Sequence, residues 1–273
     1  MSPKNMKLNK TALTTLLPCL LAGAAYADTN ETVMPTPKAR GNVNEDVRIT
    51  MGIGLLNTAR YIGSTERRYR VLPSLNAVWK NGWFAGFPRG VGYNFSDRPY
   101  MEYGVRMTAD MGRKQNASMA LNGLGDISPR AELGVFYNFP LIKQVKVDTA
   151  IRYGSGQDRK GMLLDLGVNY RLPYDDAQSF IFGVKTSYAN RNYMQSYFGV
   201  DATQALNSGY AQYTPGAGIR EVDFTASHMY KLDKQWMVMT GLNYGRLGSA
   251  AKAAPMNRST THNTLFMQAL YSY

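Results

Sequence analysis

The chain has 273 residues, one cysteine, two histidines and a formal charge of +12 at pH 7. A single thiol excludes disulfide frameworks and cysteine metal clusters, and two histidines leave little material for acid–base catalysis. No apolar run approaches the roughly 20 residues of a membrane-spanning helix, which excludes a helical membrane protein.

Residues 1–27 have the anatomy of a secretory signal peptide. Lys4, Lys7 and Lys10 form a positive start, Ala12 to Ala25 a short apolar stretch, and Ala25-Tyr26-Ala27 a small-x-small cleavage site before Asp28. Cys19 lies inside this stretch, and Pro18 before it argues against a lipid anchor. Cleavage near Ala27 predicts an exported chain without thiols, and loss of the three lysines lowers the charge to about +9. Basic charge with 19 tyrosines would suggest nucleic acid in a cytosolic protein. An exported protein meets outer-membrane lipid and lipopolysaccharide instead, so no nucleic-acid partner is expected. Residues 28–45, with Pro35, Pro37 and Gly41, read as a flexible N-terminal extension.

From residue 46 to residue 273 one theme recurs: segments of 9–13 residues with apolar and polar side chains alternating, separated by turn chemistry. Period two means a strand with two different faces. Gln144–Tyr153 sets Val145, Val147, Thr149, Ile151 and Tyr153 against Gln144, Lys146, Asp148, Ala150 and Arg152. Arg130–Phe139 and Leu163–Leu172 alternate in the same way. A soluble sandwich also alternates. Strand length near the 9–11 residues of a tilted membrane strand, charge on the polar faces and aromatic ends on the apolar faces favour an antiparallel transmembrane β-barrel. Strand-like segments occur at 46–57, 69–79, 83–95, 100–111, 129–139, 144–154, 162–172, 178–189, 219–231, 235–245 and 262–273. That is an odd number, whereas single-chain bacterial barrels have an even one. Pro88 and Gly90 interrupt 83–95, so about twelve strands are expected, with ten as the alternative.

Links alternate between short (Phe139–Gln144, Leu172–Gln178, Lys231–Gln235) and long (Gly112–Ser128, Gly154–Gly161, Asn190–Gly218, Gly245–Thr261). Short periplasmic turns and long outer loops are the outer-membrane pattern, which places the chain in the outer membrane of a Gram-negative bacterium. Leu265, Met267, Ala269, Tyr271 and Tyr273 alternate to the last residue. This resembles the C-terminal strand signal for barrel assembly, with Tyr271 and Tyr273 as its aromatic positions. The polar faces direct Glu102, Arg106, Asp110, Arg130, Glu132, Lys146, Asp148, Arg152, Asp165, Arg171 and Lys185 into the lumen. Ion pairs are expected between Arg106 and both Glu102 and Asp110, and along the strand of Lys146, Asp148 and Arg152.

Loop motifs carry a family resemblance. They are Tyr61-Ile62-Gly63-Ser64, Arg70-Val71-Leu72-Pro73, Trp83-Phe84, Arg89-Gly90-Val91-Gly92-Tyr93 and Leu121-Asn122-Gly123-Leu124-Gly125-Asp126-Ile127. Tyr193-Met194-Gln195-Ser196-Tyr197-Phe198-Gly199-Val200, Ser208-Gly209, Tyr213-Thr214-Pro215-Gly216-Ala217-Gly218, Tyr244-Gly245-Arg246-Leu247 and Ala254-Pro255 complete the set. With them the chain resembles the MipA/OmpV family, the MltA-interacting outer-membrane proteins, over residues 46–273. Ala254-Pro255 in place of Ser-Pro and the terminal Tyr273 are its departures. The resemblance implies a barrel that acts by binding: a scaffold for a murein lytic transglycosylase and a murein synthase. Relatives described as porin-like or as adhesive surface antigens imply the alternatives of a weakly anion-selective channel and an adhesin. It implies no catalytic motif and no cofactor.

The residues themselves offer little chemistry. His228 shares a face with Val222, Phe224 and Tyr230, as a girdle residue would, and Ser259, His262 and Asn263 are too local a set to make a catalytic relay. Asp126 reads as a turn residue. No cluster with metal-ligand spacing is visible in the sequence. The candidate interaction element is the long loop with Tyr193, Tyr197, Phe198, Tyr210 and Tyr213, since aromatic residues on an outer loop serve either recognition or closure of the barrel mouth.

Overall fold

The computed structural model describes residues 46–273. The expected signal peptide and N-terminal extension, residues 1–45, lie outside the described residues. The chain runs through β1 (Val47–Ala59), β2 (Arg67–Trp79), β3 (Trp83–Phe87), β4 (Gly90–Asn94), β5 (Glu102–Asp110) and β6 (Arg130–Ile142). It continues through β7 (Val145–Ser155), β8 (Gly161–Pro173), β9 (Gln178–Ala189), β10 (Gly218–Lys231), β11 (Trp236–Leu247) and β12 (Thr261–Ser272). Each strand pairs antiparallel with its neighbours in sequence, and β12 returns to β1, closing the sheet into a twelve-stranded barrel. Closure satisfies the backbone polar groups along the seam, the condition for a sheet to stand in lipid.

Period-two patterning sorts the side chains. On β8, Leu164, Leu166 and Val168 are 45%, 47% and 42% exposed, while Leu163, Asp165 and Gly167 between them are buried. The outward residues form an apolar belt, bounded toward the short-turn end by aromatic contacts. Trp83, Tyr93, Phe95, Tyr103, Tyr137 and Phe139 follow one another at centroid distances of 5.1–6.3 Å. Phe180, His228 and Tyr230 continue the ring, as do Trp236 and Tyr271. Rings with one apolar and one wet side favour this interfacial level.

The expectation of twelve strands is met where the sequence pointed. Pro88 has no N–H for a ladder, and Gly90 takes φ +87°, so Trp83–Asn94 folds back as two short strands. This hairpin is low. Its upper end pairs Phe87 with Leu75 and Val91 with Met107, and among the described residues β2 above Leu75 pairs with β1 alone.

The long connections lie together at one end. They carry α1 (Arg191–Phe198), α2 (Ala202–Ser208), α3 (Ser249–Lys252) and two short 3-10 turns at Gln115–Ala117 and Met119–Leu121. Asn190 caps α1 by accepting from the Tyr193 N–H, and Asp201 with Gln204 forms a capping box on α2.

Candidate functional site

The barrel has two interior regions, a packed cap at the long-loop end and a charged lumen below it. In α1, Tyr193, Met194, Tyr197 and Phe198 share one helical face and are buried. They pack with Val200 just beyond the helix, with Tyr61, Leu121, Leu124 and Ile127 from other loops and with Leu163, Ala189 and Leu247 from the strand ends. Fully burying side chains of this size is worth roughly 1.5–3 kcal/mol each, so the cap has a core of its own. Polar ties close it further. The Arg113 guanidinium donates to the Tyr197 carbonyl at 2.7 Å, the Tyr197 hydroxyl donates to Asp110, and the Tyr61 hydroxyl donates to Met256 O at 2.8 Å. Burial pushes the Tyr61 hydroxyl up to about 12. Tyr210 and Tyr213 are half-buried and donate to Ala120 O and Ala250 O. The aromatic loop residues thus point into the cap rather than out to solvent.

Gly123 lets two loops of the cap meet. It takes φ +81°, and a Cβ there would lie 2.5 Å from the backbone of Asn207 at the end of α2. Asp126 accepts from Lys114 Nζ and the Gln115 N–H, each at 2.8 Å, and the Lys114 bond is the main cause holding its carboxyl below the usual range. It is a loop tie, as its sequence context suggested.

Below the cap, the strands bring charges together across the ladder. Arg89 lies 2.9 Å from Glu102, and Lys146 bridges Glu102 at 3.5 Å and Asp148 at 3.1 Å. Arg152 bridges Glu132 at 2.8 Å and Asp165 at 2.9 Å, Ser187 donates to Asp165 at 2.5 Å, and Lys185 stands 3.8 Å from it. Asp110, Arg106 and Arg130 are half-buried on inward faces, Arg106 with its guanidinium 5.9 Å from the Phe136 ring centre. Arg171 is exposed at the short-turn end of β8.

The pairs that form run mostly between strands. Glu102 is held by Arg89 and Lys146, and Arg152 by carboxylates of β6 and β8, while Lys146 with Asp148 pairs along one strand as expected. Spacing favours partners across the ladder. Residues four apart on a strand are about 13 Å apart, whereas facing positions on paired strands lie about 5 Å apart.

The histidines separate. His228 stands on the outward face between Phe180 and Tyr230 and contacts Gln178 at 3.1 Å. His262 faces inward, 3.6 Å from both Glu221 and Asp223. Ser259 donates to Thr261 O, and Asn263 accepts from Arg67 on the outer face, so these side chains diverge from His262. The cluster of Glu221, Asp223 and His262 was not visible as a spacing, because about 40 residues and a whole strand separate its parts. The only sequence signal was Glu-x-Asp on an inward face.

A family model described as MltA-interacting protein MipA matches residues 51–273. The chain belongs to this family. The resemblance drawn from the loop motifs is therefore borne out, and the closed twelve-stranded sheet is the fold of this MipA-family member. A comparison with curated proteins found no significant relative. Among solved structures, the barrel is similar to the NanC porin, with TM-score 0.49, 9% identity, and coverage of 81% of this chain and 98% of that one. It is also similar to the KdgM porin (TM-score 0.43, 11% identity, coverage 82% and 99%) and to the Pseudomonas putida toluene transporter TodX (TM-score 0.39, 9% identity, coverage 90% and 94%).

Proposed function

We propose that this MipA-family barrel resides in the outer membrane of a Gram-negative bacterium and acts by binding partners, with its outer mouth closed. The observation that carries the reading is the packed cap, whose aromatic side chains occupy the level at which a channel would have to open. The family description, MltA-interacting protein, supports a murein lytic transglycosylase as partner, together with the murein synthase that the resemblance implies. The surface available to such enzymes is the short-turn face. There Tyr100, Tyr174, Leu232 and Tyr273 are exposed beside Lys143, Asp175 and Asp233, a mixture of aromatic and charged groups suited to protein contacts. No step of catalysis is assigned to the barrel.

The test is co-purification. Full-length barrel solubilised from an envelope should retain a lytic transglycosylase, and charge reversal in the Tyr174–Ala177 turn should release it. Equal retention by a control barrel would refute the scaffold.

A second reading has its own observation. The lumen below the cap is lined by paired and partly exposed charges, as a conducting path requires. Removal of the aromatic loop would then expose a weakly anion-selective path.

A further inference from the structure

Three side chains outside the networks of the lower lumen meet near the outer rim of the barrel. Glu221 and Asp223 are successive inward residues of β10, and His262 lies near the start of β12. Register brings them together across β11: Asp223 stands opposite Gly245, and Gly245 opposite His262. The glycine decides the geometry. A Cβ on Gly245 would lie 2.3 Å from His262 Nε2 and 2.6 Å from Asp223 Oδ1. Any other residue there would fill the space in which the two partners face each other.

His262 Nε2 is 3.6 Å from Glu221 Oε2 and 3.6 Å from Asp223 Oδ1, and the three ligand atoms lie within 4.8 Å of one another. Such separations are too long for hydrogen bonds. Glu221 and Asp223 are each 1% exposed, and Glu221 Oε2 and Asp223 Oδ1 are buried without a hydrogen-bond partner. The other oxygen of Glu221 is held by Arg220, whose Nη1 reaches the Tyr193 hydroxyl at 2.9 Å, so the orphan oxygen has a fixed aim. Buried carboxylate oxygens without donors are costly and call for a counter-charge. A tetrahedral dication with bonds of 2.0–2.2 Å holds its ligand atoms roughly 3.4 Å apart, close to the 3.6 Å seen here.

We propose that Glu221, Asp223 and His262 form a binding site for a divalent transition-series cation, with Zn2+ the best match. The donor set selects this class. Mixed imidazole and carboxylate donors suit Zn2+ and its neighbours, whereas Ca2+ and Mg2+ take six or more oxygens. Three protein ligands leave one coordination position open for water or an anionic group. The cation ties β10 to β12 across β11, directly under the cap, and uptake releases any proton carried by Nε2. This site is independent of whether the barrel binds murein enzymes.

The test uses full-length barrel folded in detergent, stripped with chelator and titrated with Co2+. Wild type should take up about one equivalent, develop visible absorption of a low-coordinate Co2+ centre, and lose it to added Zn2+. Glu221→Gln, Asp223→Asn and His262→Asn should each weaken uptake by roughly 100-fold, and Gly245→Ala should abolish it with all three ligands still present. Because the first measurement needs no variant, a misfolded mutant leaves the proposal testable. Wild type that takes up no more Co2+ than an unrelated barrel would overturn it and leave His262 as an imidazolium between two carboxylates. Variants that bind as well as wild type would overturn it too.

Discussion

Arg113, in the loop after β5, donates its guanidinium to the backbone carbonyl of Tyr197 in α1 at 2.7 Å. One side chain thus fastens the aromatic loop to the loop between β5 and β6. Both groups are buried. Losing a charged donor to a buried carbonyl costs about 1.5–3 kcal/mol. Arg113→Ala is expected to speed hydrogen exchange of the Arg191–Phe198 amides while leaving the β8 amides unchanged. Unaltered exchange in α1 would show that the aromatic core alone holds the cap.

The two faces of β8 predict opposite outcomes for the same substitution. Leu166 is outward and near mid-strand, where arginine costs roughly 2–4 kcal/mol in a membrane barrel. Asn169 is inward and donates to Asp148 at 2.7 Å, so an arginine there keeps a carboxylate partner. Leu166→Arg should lower the folded fraction in heat-modifiable gel mobility far more than Asn169→Arg. Equal yields would contradict the face assignment.

Gly123 and Gly125 separate strain from crowding. Both have positive φ, +81° and +74°, yet a Cβ would strike Asn207 only at Gly123 and meets nothing within 4 Å at Gly125. Left-handed strain costs of order 1–3 kcal/mol at either position. Gly123→Ala should therefore loosen the cap more than Gly125→Ala, read as the difference in thermal midpoint. The reverse order would mean that α2 does not press on this loop.

Acid should weaken the turn between β10 and β11. Hydrogen bonds from the Trp236 and Gln235 N–H groups hold the Asp233 carboxyl below the usual range. A carboxyl depressed in the folded state contributes stability above its unfolded pKa, near 3.9, and loses it as pH falls through the folded value. The stability difference between wild type and Asp233→Ala should stay constant from neutral pH to about 4 and shrink below that. A difference that grows on acidification would refute this role of Asp233 in the turn.

Assembly is expected to depend on the last residue. The Tyr273 N–H donates to Ile49 O at 2.9 Å, placing the terminus at the seam where β12 meets β1, and its side chain is exposed. Deleting Tyr273 should lower the amount of inserted barrel without changing export. Normal outer-membrane levels in fractionated cells would remove Tyr273 from the assembly signal.

The strands were legible because a barrel wall separates two media at every residue, so alternation survives in the sequence. Even the split at Pro88 and Gly90 could be read, since each breaks a ladder for its own chemical reason. Pairing was less legible. Arg152 meets Glu132 and Asp165 through register between strands, and alternation carries no register. The direction of Tyr193, Tyr197 and Phe198 was hidden too, because an aromatic helix face fits a cap or a docking surface equally well. His262 stayed silent for a similar reason: its neighbours lie on β10, and the residue that makes room for them, Gly245, has no side chain to notice.

Planar-bilayer recording of the full-length barrel, beside a form lacking residues 193–213, tests the closed-mouth account most directly. Full-length protein should show no steady conductance, and the shortened form should open with anion-favouring reversal in a salt gradient, because basic side chains outnumber acidic ones on the inward faces. A steady open channel in the intact protein would contradict the account.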